Sequence, residues 1–407
     1  MQTLAVLVFG LVYLGMLLGG LPRLALDRTG VALLGAIVLI ASGDMSLTEA
    51  SAAVDGPTLA LLFGLMIVSA QFRLGGFYTH LTRNLAGRDA SPEELLAMLV
   101  ITAGALSALL ANDIVCLAMA PILVEVCARR RLDPVPFLLA LACAANVGSA
   151  ATLIGNPENM LIGEKLRLSF AGYLLDALAP AVLGLAATWW IIARQSRGRW
   201  ERETPLPDVH APPFDRWQST KGGLVLGALV LAFLFGTWPR EDVALAAAGV
   251  LLLSRRMASS RVLGLVDWEL LVLFFGLFVV NRAFADTGLV ARALSDLAAR
   301  GADLTQPAWL FGATVLLSNL VSNVPAVMLL LEAAKHPLGG PVLALASTLA
   351  GNLLLVGSIA NLIVVDQAGR LGIRIGWAEH ARVGIPVTLA TLVIAGGWLW
   401  IHAAFGA

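Results

Sequence analysis

Charged residues are scarce in this sequence. Asp, Glu, Lys and Arg make up 13% of its 407 residues, whereas soluble domains carry roughly 25%. Hydrophobic residues make up 58%, and the mean hydropathy is +0.85. Lys+Arg and Asp+Glu number 27 each, so the net charge is zero. This composition excludes a water-soluble domain and offers no basic face for nucleic acid and no acidic tail.

Cysteine and histidine are also few. Cys116, Cys127 and Cys143 lie in apolar segments without the spacing of a redox or metal motif, and five histidines are scattered near loops and ends. We therefore expect no cofactor and no resident metal. An intramembrane enzyme would need paired aspartates, a serine with a histidine or a metal motif within the spans. The sequence shows none of these, so we expect no enzymatic activity.

Long apolar runs recur along the whole chain. Examples are Leu4–Leu21, Leu59–Ala70, Ala171–Ala193 and Leu270–Val280. A membrane-crossing helix needs about 20 mostly apolar residues, so the chain can hold about ten spans and little else. The first run lacks a basic n-region and is followed by Pro22-Arg23, which predicts a first span and not a cleaved signal peptide. The fold class is therefore an all-α polytopic membrane protein.

One polar segment divides the chain. Residues 194–221 contain four prolines and ten charged residues, which predicts a linker between a first half, 1–193, and a second half, 222–407. Three motifs recur in the same order in both halves: Asp55–Leu65 with Asp267–Leu277, Ser107–Asn112 with Ser318–Asn323, and Gly155–Asn159 with Gly357–Asn361. Such ordered self-similarity predicts an internal repeat.

The basic residues predict an orientation. The positive-inside rule places them on the cytoplasmic side, as follows: Arg23 and Arg28; Arg73, Arg83 and Arg88; Arg129–Arg131; the linker; Arg255, Arg256 and Arg261; and Arg370, Arg374 and Arg382. The acidic loop Gly43–Gly56 then lies outside. Each half must have five full crossings plus one segment that enters and leaves on the same face. The repeats are therefore predicted to be inverted in the inner membrane, with both termini outside.

Two apolar segments carry polar residues at their centre. Residues 93–128 have Asn112-Asp113 in the middle, and residues 306–332 have Ser322-Asn323, followed by Pro325. The apolar stretches on either side of these polar residues are each long enough to cross most of a ~30 Å core. Each segment is therefore predicted to be a re-entrant hairpin with its tip at mid-depth. Backbone outside a helix at that depth must be buried in protein or line a polar cavity. Each tip would point helix N-terminal N–H groups at a ligand.

Two further apolar segments are interrupted in a different way. Gly155-Asn156-Pro157-Glu158-Asn159 and Gly357-Ser358-Ile359-Ala360-Asn361 lie within predicted spans. Pro157 ends the preceding helix, the glycines permit an unwound turn, and Asn156 or Ser358 can cap the next helix. We expect bare carbonyls at the end of each upstream half-helix, suited to a cation, and N–H groups at the start of each downstream one, suited to an anion.

Asp113 is the sharpest functional candidate. An aspartate at the centre of the bilayer costs about 2.5–3.5 kcal/mol, so we expect it to bind a cation or a proton. The alternative is a carboxylate that only caps the returning helix. Glu158 has the same two interpretations. Asn146, Asn319 and Asn352 are expected to be interhelical hydrogen-bonding residues.

Four segments together resemble a known family: Leu109–Val126, Ala145–Gly163, Leu317–Leu330 and Gly351–Val364. They are similar to the ion transporter superfamily, which includes arsenite permeases, NhaD-type Na+/H+ antiporters and divalent-anion/sodium symporters with a citrate-transporter-like domain. The Asn112-Asp113 tip resembles the arsenite-permease branch. Dicarboxylate symporters typically carry the motif Ser-Asn-Thr at both tips. In this sequence only the second tip has part of that motif, Ser322-Asn323, and Val324 stands in place of the threonine.

This resemblance implies a binding site and a mechanism. One ion or substrate half-site would comprise Asn112, Asp113, Gly155 and Asn156, and the other Ser322, Asn323, Gly357 and Ser358. The flanking Pro157, Asn159 and Asn361 complete the candidate set, with Na+ as a coupling ion at the same positions. The resemblance also implies an elevator-like motion of the hairpins and broken helices, and homodimers occur in the family.

We therefore predict a secondary active transporter of a small anion or metalloid oxyanion, arsenite-permease-like and coupled to H+ or Na+. Two alternatives stay open within the family: a Na+/H+ antiporter and a di/tricarboxylate–sodium symporter. A passive channel stays open as well, because inverted repeats do not prove coupling.

Overall fold

The computed structural model describes residues 2–21, 24–203, 205–207, 209 and 212–405. Arg23, one of the residues predicted to be cytoplasmic, and Thr204, Asp208, His210 and Ala211 of the linker lie outside the described residues. Within the described ranges the regular structure is helical, and β-pairing is limited to the isolated bridges Gly20–Asp27 and Leu132–Glu201. The predicted all-α class is confirmed.

Ten helices precede the linker. They are α1 (Gln2–Leu18), α2 (Arg28–Ala41), α3 (Leu47–Ala53), α4 (Gly56–Leu74), α5 (Phe77–Ala86), α6 (Pro92–Leu109), α7 (Asn112–Arg129), α8 (Pro134–Ser149), α9 (Pro157–Lys165) and α10 (Phe170–Ser196).

Ten helices of the described residues follow the linker. They are α11 (Arg216–Phe235), α12 (Arg240–Leu252), α13 (Ser259–Leu263), α14 (Trp268–Ala285), α15 (Leu289–Ala299), α16 (Pro307–Val321), α17 (Asn323–Leu330), α18 (Gly339–Ala350), α19 (Ile359–Arg370) and α20 (Trp377–Phe405). Short 3₁₀ turns occupy Leu331–Ala333 and Leu355–Gly357.

Many of these helices are apolar and long enough to cross a bilayer. Six meet that length by themselves, namely α4, α6, α10, α11, α14 and most of α20, and further apolar helices are shorter. The shorter ones include the paired pieces on either side of the interruptions described below. The chain is a multi-pass membrane protein.

The same local chemistry starts equivalent helices in the two halves. The Asp55 carboxylate accepts from the Thr58 N–H at 2.9 Å to cap α4, and Asp267 accepts from the Leu270 N–H at 2.9 Å to cap α14. Gly76 and Gly288, with φ of +67° and +71°, lie immediately before α5 and α15. Only glycine adopts this left-handed backbone without strain, so both turns depend on it.

Helices α2, α4, α12 and α14 pack in exchanged pairs: α4 lies against α12, and α14 lies against α2. A Cβ added to Gly64 would lie 2.7 Å from the backbone of Ala244, and one added to Gly276 would lie 2.6 Å from that of Ala32. In both pairs a glycine of one half receives an alanine of the other, which lets the helices approach closely.

A second group of helices surrounds the interruptions. Helix α8 packs on α6, α18 on α16, α10 on α20, and α7 on α19. The approach of α8 to α6 is so close that a Cβ on Gly148 would lie 2.2 Å from the Gly104 carbonyl oxygen. Together with α9, α17 and the segments that connect these helices, this group carries the residues predicted to form the site.

Both ends of the linker are fixed to turns of the first half. Near its start, the Asp133 N–H donates to the Trp200 carbonyl oxygen at 2.7 Å. At its end, the Asp215 N–H donates to the Gly75 carbonyl oxygen at 2.9 Å, and Gln71 donates to Gln218 at 2.8 Å. Both ends of the linker therefore lie on the side of the molecule that carries the α4–α5 and α7–α8 turns.

Candidate functional site

The first interruption separates α6 from α7. Helix α6 ends at Leu109 and α7 begins at Asn112. The Ala111 N–H donates to the Ser69 hydroxyl at 3.3 Å, and the Asn112 N–H donates to the Gly155 carbonyl oxygen at 3.2 Å. The turn is thus held against both α4 and the unwound segment that precedes α9.

That unwound segment spans residues 150–156. The Asn156 side chain caps α9, because its Oδ1 accepts from the Asn159 N–H at 2.8 Å, and Pro157 occupies the first helical position. A Cβ on Gly155 would lie 2.3 Å from the Ser149 carbonyl oxygen. No side chain fits there, so the close turn requires glycine.

The second half has the equivalent interruption between α18 and α19. Ser358 caps α19, because its hydroxyl accepts from the Ala360 N–H at 3.2 Å. A Cβ on Gly357 would lie 3.0 Å from the Gly351 carbonyl oxygen. The fit is less tight than at Gly155, and a 3₁₀ turn at Leu355–Gly357 fills part of the gap.

The tip between α16 and α17 has a strained backbone. Ser322 adopts φ 76° and ψ 161°, a region that is essentially restricted to glycine. Helix α17 begins at the next residue, Asn323, and Pro325 lies in its first turn. Ser322 makes no side-chain capping bond, although serine is a preferred N-cap residue. The backbone geometry itself is the unusual feature of this tip.

Side chains cap the carbonyls that end α8 and α18. Asn159 donates to the Ser149 and Thr152 carbonyl oxygens at 3.4 and 2.9 Å. Asn361 donates to those of Gly351 and Leu354 at 2.9 and 3.3 Å. Each donor and each acceptor of the second set lies 202 residues after its counterpart. The expectation of bare carbonyls is therefore wrong at these positions.

Two further side chains extend this capping. The Tyr173 hydroxyl donates to the Ala150 carbonyl oxygen at 2.8 Å, and His380 Nε2 lies 3.1 Å from the Asn352 carbonyl oxygen. Tyr173 is the fourth residue of α10 and His380 the fourth of α20. Because a carbonyl only accepts, the histidine N–H is the donor. The two halves thus cap equivalent carbonyl oxygens with different side chains, a tyrosine in the first half and a histidine in the second.

Asn146 lies in the last turn of α8, next to one interruption, and its side chain contacts two others. Its Nδ2 donates to Asn352 Oδ1 at 2.8 Å and to Asn361 Oδ1 at 3.2 Å. Its Oδ1 accepts from the Ser358 hydroxyl at 2.9 Å and from Asn112 Nδ2 at 3.4 Å. Both donors and both acceptor positions of the amide are therefore used. Asn146 is buried, and it lies at the centre of the candidate site.

Glu158 connects the fourth interruption, between α16 and α17, to this network. Its Oε1 accepts from Asn323 Nδ2 at 2.9 Å and from the Thr348 hydroxyl at 3.4 Å. Thr348 also accepts from Asn156 Nδ2 at 3.1 Å. The carboxylate is buried, and it links the start of α9 to the start of α17 across the two halves.

The charges of the site are unbalanced. Residues 110–113, 150–159, 321–325 and 351–361 contain Asp113 and Glu158 but no Lys or Arg. Asp113 is half-buried, and its N–H donates to Asn112 Oδ1 at 3.0 Å. In the part of the chain that the structure describes, no three His, Cys, Asp or Glu side chains come together as a metal site.

The structure thus brings most of the predicted site residues into one hydrogen-bonded cluster. Asn112, Asn156, Asn159, Asn323, Ser358 and Asn361 all take part in it through their side chains. The predicted site did not include Thr348, Tyr173 or His380, and Asn146 was expected only to join helices. Asn146 and Thr348 are polar residues within otherwise apolar helices, which is a signal, but such residues more often only join helices.

An apolar multi-helix chain with unwound polar segments buried in its interior has the architecture of a membrane transporter. Comparison with known proteins agrees. Residues 11–341 match the model of the citrate transporter family, CitMHS. The chain belongs to that family, within the ion transporter superfamily predicted from its motifs.

Curated relatives span nearly the whole chain. A 46 kDa membrane protein of Mycobacterium leprae is 29% identical over 99% of both chains. The silicon efflux transporter LSI3 of rice, Oryza sativa subsp. japonica, is 31% identical over 95% of both chains. The inner membrane protein YbiR of Escherichia coli is 32% identical over 83% of this chain and 86% of its own.

A solved structure shares the fold. The YdaH transporter of Alcanivorax borkumensis superposes with a TM-score of 0.59, covering 99% of this chain and 97% of its own. The sequence identity is 16%, so the similarity concerns the fold alone.

Proposed function

We propose that this protein is a secondary active transporter of a small anion or metalloid oxyanion, arsenite-permease-like and coupled to H+ or Na+. The observation that carries the proposal is the buried network of Asn146, Glu158 and their partners. It joins four helix interruptions from both halves, and its donors and acceptors are amides, hydroxyls and one carboxylate.

The halves are proposed to be inverted repeats, each with a re-entrant hairpin, α6–α7 or α16–α17, and a broken helix, α8–α9 or α18–α19. The exchanged contacts Gly64–Ala244 and Gly276–Ala32 support this, because a two-fold axis between the halves would relate them. The matched capping by Asn159 and Asn361 supports the same relationship. The proposed orientation keeps the linker in the cytoplasm and both termini outside the inner membrane.

The charge of the site favours a substrate with little negative charge. A tricarboxylate would be expected to use Arg or Lys partners, and the four interruptions contain neither. The rice relative named for silicon efflux also supports a metalloid substrate. The family description names citrate, so a di/tricarboxylate–sodium symporter is the second candidate. Its carboxylates would need backbone N–H groups and co-bound cations in place of basic side chains.

Asp113 is proposed to carry the coupling ion. Asp113 is the half-buried carboxylate at the start of α7. The Glu158 carboxylate already accepts hydrogen bonds from Asn323 and Thr348. The predicted substrate site is Asn112, Gly155, Asn156, Pro157, Asn159, Ser322, Asn323, Gly357, Ser358 and Asn361. A Na+/H+ antiporter would need only the carboxylates and carbonyl oxygens, and it remains an alternative.

Uptake by proteoliposomes tests the proposal. The panel is arsenite, sulfate, phosphate, dicarboxylates and Na+, with imposed H+ or Na+ gradients, and Asp113→Asn as the comparison. We expect gradient-driven uptake of one anion or oxyanion by the wild type and its loss in Asp113→Asn at normal expression. Sodium-driven proton movement without any anion would instead identify an antiporter. Flux that ignores both gradients would identify a channel, and wild-type coupling in Asp113→Asn would overturn the role of that residue.

A further inference from the structure

Two ion pairs fix the end of α9 to α4 and α12. Lys165 Nζ lies 2.6 Å from Asp55 Oδ2, and Arg240 Nε lies 2.9 Å from Glu164 Oε1. Arg240 also donates from Nη2 to the Gly163 carbonyl oxygen at 2.7 Å. The broken helix that carries Asn156 and Glu158 is thereby attached to the exchanged helix pair.

The Arg240–Glu164 pair is shielded from water, and the Lys165–Asp55 pair is shielded on the aspartate side only. The side chains of Asp55, Glu164 and Arg240 are 14%, 12% and 13% exposed, whereas that of Lys165 is 39% exposed. An exposed ion pair contributes little, but removing one partner of a buried pair leaves an uncompensated charge. The two pairs therefore form a specific closure at this end of the molecule, which is the periplasmic end in the proposed orientation.

The residues of this closure have counterparts in the other half. Arg28 is the first residue of α2, as Arg240 is of α12. Asp366 is the eighth residue of α19, as Glu164 is of α9. The arginine is retained and the glutamate is replaced by aspartate, so both charges of the Arg240–Glu164 pair are kept, whereas Lys165 corresponds to the uncharged Gln367. Asp267 corresponds to Asp55, since each caps the helix that follows it.

The counterparts make different contacts. Arg28 donates from Nε to the Met16 carbonyl oxygen at 3.2 Å. Asp366 pairs with Arg370 of its own helix at 2.9 Å, and these two side chains are 54% and 70% exposed. The asymmetry extends to α5 and α15. Tyr78 and Thr82 of α5 are buried, whereas α15 has no buried residue.

We propose that Arg28 and Asp366 form, in the opposite state of the transport cycle, the ion pair that Arg240 and Glu164 form here. The inference rests on the proposed transport function and on the two-fold relation of the halves. Alternating access in such transporters moves one bundle against the other around the binding site, and the two-fold relation implies a second state in which the two repeats have exchanged their contacts. That exchange brings the end of α19 to α2 and α14, and it releases the end of α9. The structure therefore represents the state that is closed at the Asp55 end.

Disulfide trapping tests the pair directly. In a background with Cys116, Cys127 and Cys143 each changed to Ala, two double variants are made, Glu164→Cys with Arg240→Cys and Arg28→Cys with Asp366→Cys. Each pair joins the two halves. After copper phenanthroline oxidation, cleavage at a protease site placed in the linker separates the halves on a denaturing gel unless a disulfide holds them. Arg28→Cys with Arg240→Cys, which also joins the two halves but combines residues from opposite ends of the molecule, is the matched control.

We expect both test pairs to hold the halves together and the control pair to let them separate. Each disulfide should abolish uptake in proteoliposomes, and dithiothreitol should restore it. The inference is overturned if the Arg28/Asp366 pair separates like the control with and without imposed gradients, or if it cross-links while uptake continues. The gel does not depend on knowing the substrate. A failure of the transport proposal, seen as no uptake by the wild type, is therefore distinguishable from a failure of this inference.

Charge exchange supplies an independent measurement. Arg28→Asp and Asp366→Arg should each reduce uptake, because each leaves like charges facing one another in the second state. The double variant should recover uptake, since it restores the pair with its signs exchanged. Equal defects in the single and double variants would argue against a direct pair. Arg282→Ala, at an exposed pair within α14, should leave uptake unchanged.

Discussion

Asn323 donates to Glu158 at 2.9 Å, and this bond joins the first residue of α17 to the second residue of α9. The two residues come from different halves, and both are buried. The contact makes the geometry of one interruption depend on that of another.

Glu158→Ala should therefore destabilise the protein more than Glu158→Gln. The alanine variant leaves the buried Asn323 amide unpaired, at a cost of roughly 1–3 kcal/mol, whereas glutamine retains an acceptor oxygen. Thermal unfolding in detergent measures the difference. Equal melting temperatures for the two variants would contradict the proposed hydrogen bond.

Asn146→Ala should destabilise the protein far more than Asn319→Ala. It removes four side-chain contacts, and at about 0.6 kcal/mol each in a membrane protein the loss is roughly 2 kcal/mol. Asn319→Ala is the control, because Asn319 donates only to the Val315 carbonyl oxygen of its own helix. Comparable unfolding temperatures for both variants would remove Asn146 from the centre of the network.

Ser322→Gly should stabilise the protein by about 1 kcal/mol or more, because glycine adopts the observed backbone conformation without the cost of roughly 1–3 kcal/mol that other residues incur. Ser322→Ala is the matched control, since it removes the hydroxyl but keeps the Cβ. We expect the melting temperature to rise in the glycine variant alone. A rise in both would assign the effect to the hydroxyl.

Gly64→Val and Gly276→Val should lower the stability to a similar extent, about 1–3 kcal/mol, because each added side chain would meet a facing alanine backbone. Gly10→Val is the control, since a Cβ at Gly10 has no neighbour within 4 Å. Fluorescence-detected size-exclusion chromatography of the three variants after heating gives the comparison. Unequal losses at Gly64 and Gly276 would count against the two-fold relation.

Much of the fold could be predicted from local sequence. Apolar run lengths predict the helical, multi-pass class, and the helices are interrupted beside Gly155 and Gly357, where the sequence places glycines within apolar runs. These predictions depend on neighbouring residues only. The hairpin depth, the inversion of the repeats and the roles of the site residues stay predictions.

The contacts between distant residues could not be predicted. The Asn146–Asn352 and Glu158–Asn323 bonds join positions 206 and 165 residues apart, and no local pattern specifies such partners. Nothing in the sequence indicated the backbone conformation of Ser322, because its positive φ favours glycine and the residue is a serine. Bare carbonyls were expected beside Gly155 because a helix end leaves its last carbonyls without backbone partners, whereas the Asn159 side chain donates to two carbonyls there.

The pairing of α4 with α12 and of α14 with α2 has a consequence for how the protein is made. The ribosome completes α4 long before α12 exists, and at about 5–20 residues per second the interval is of the order of 10–40 s. During that time the Gly64 face must be covered by lipid or by an insertion chaperone. Neither half of the gene should yield a stable product when expressed alone, and co-expression of the two halves should restore both.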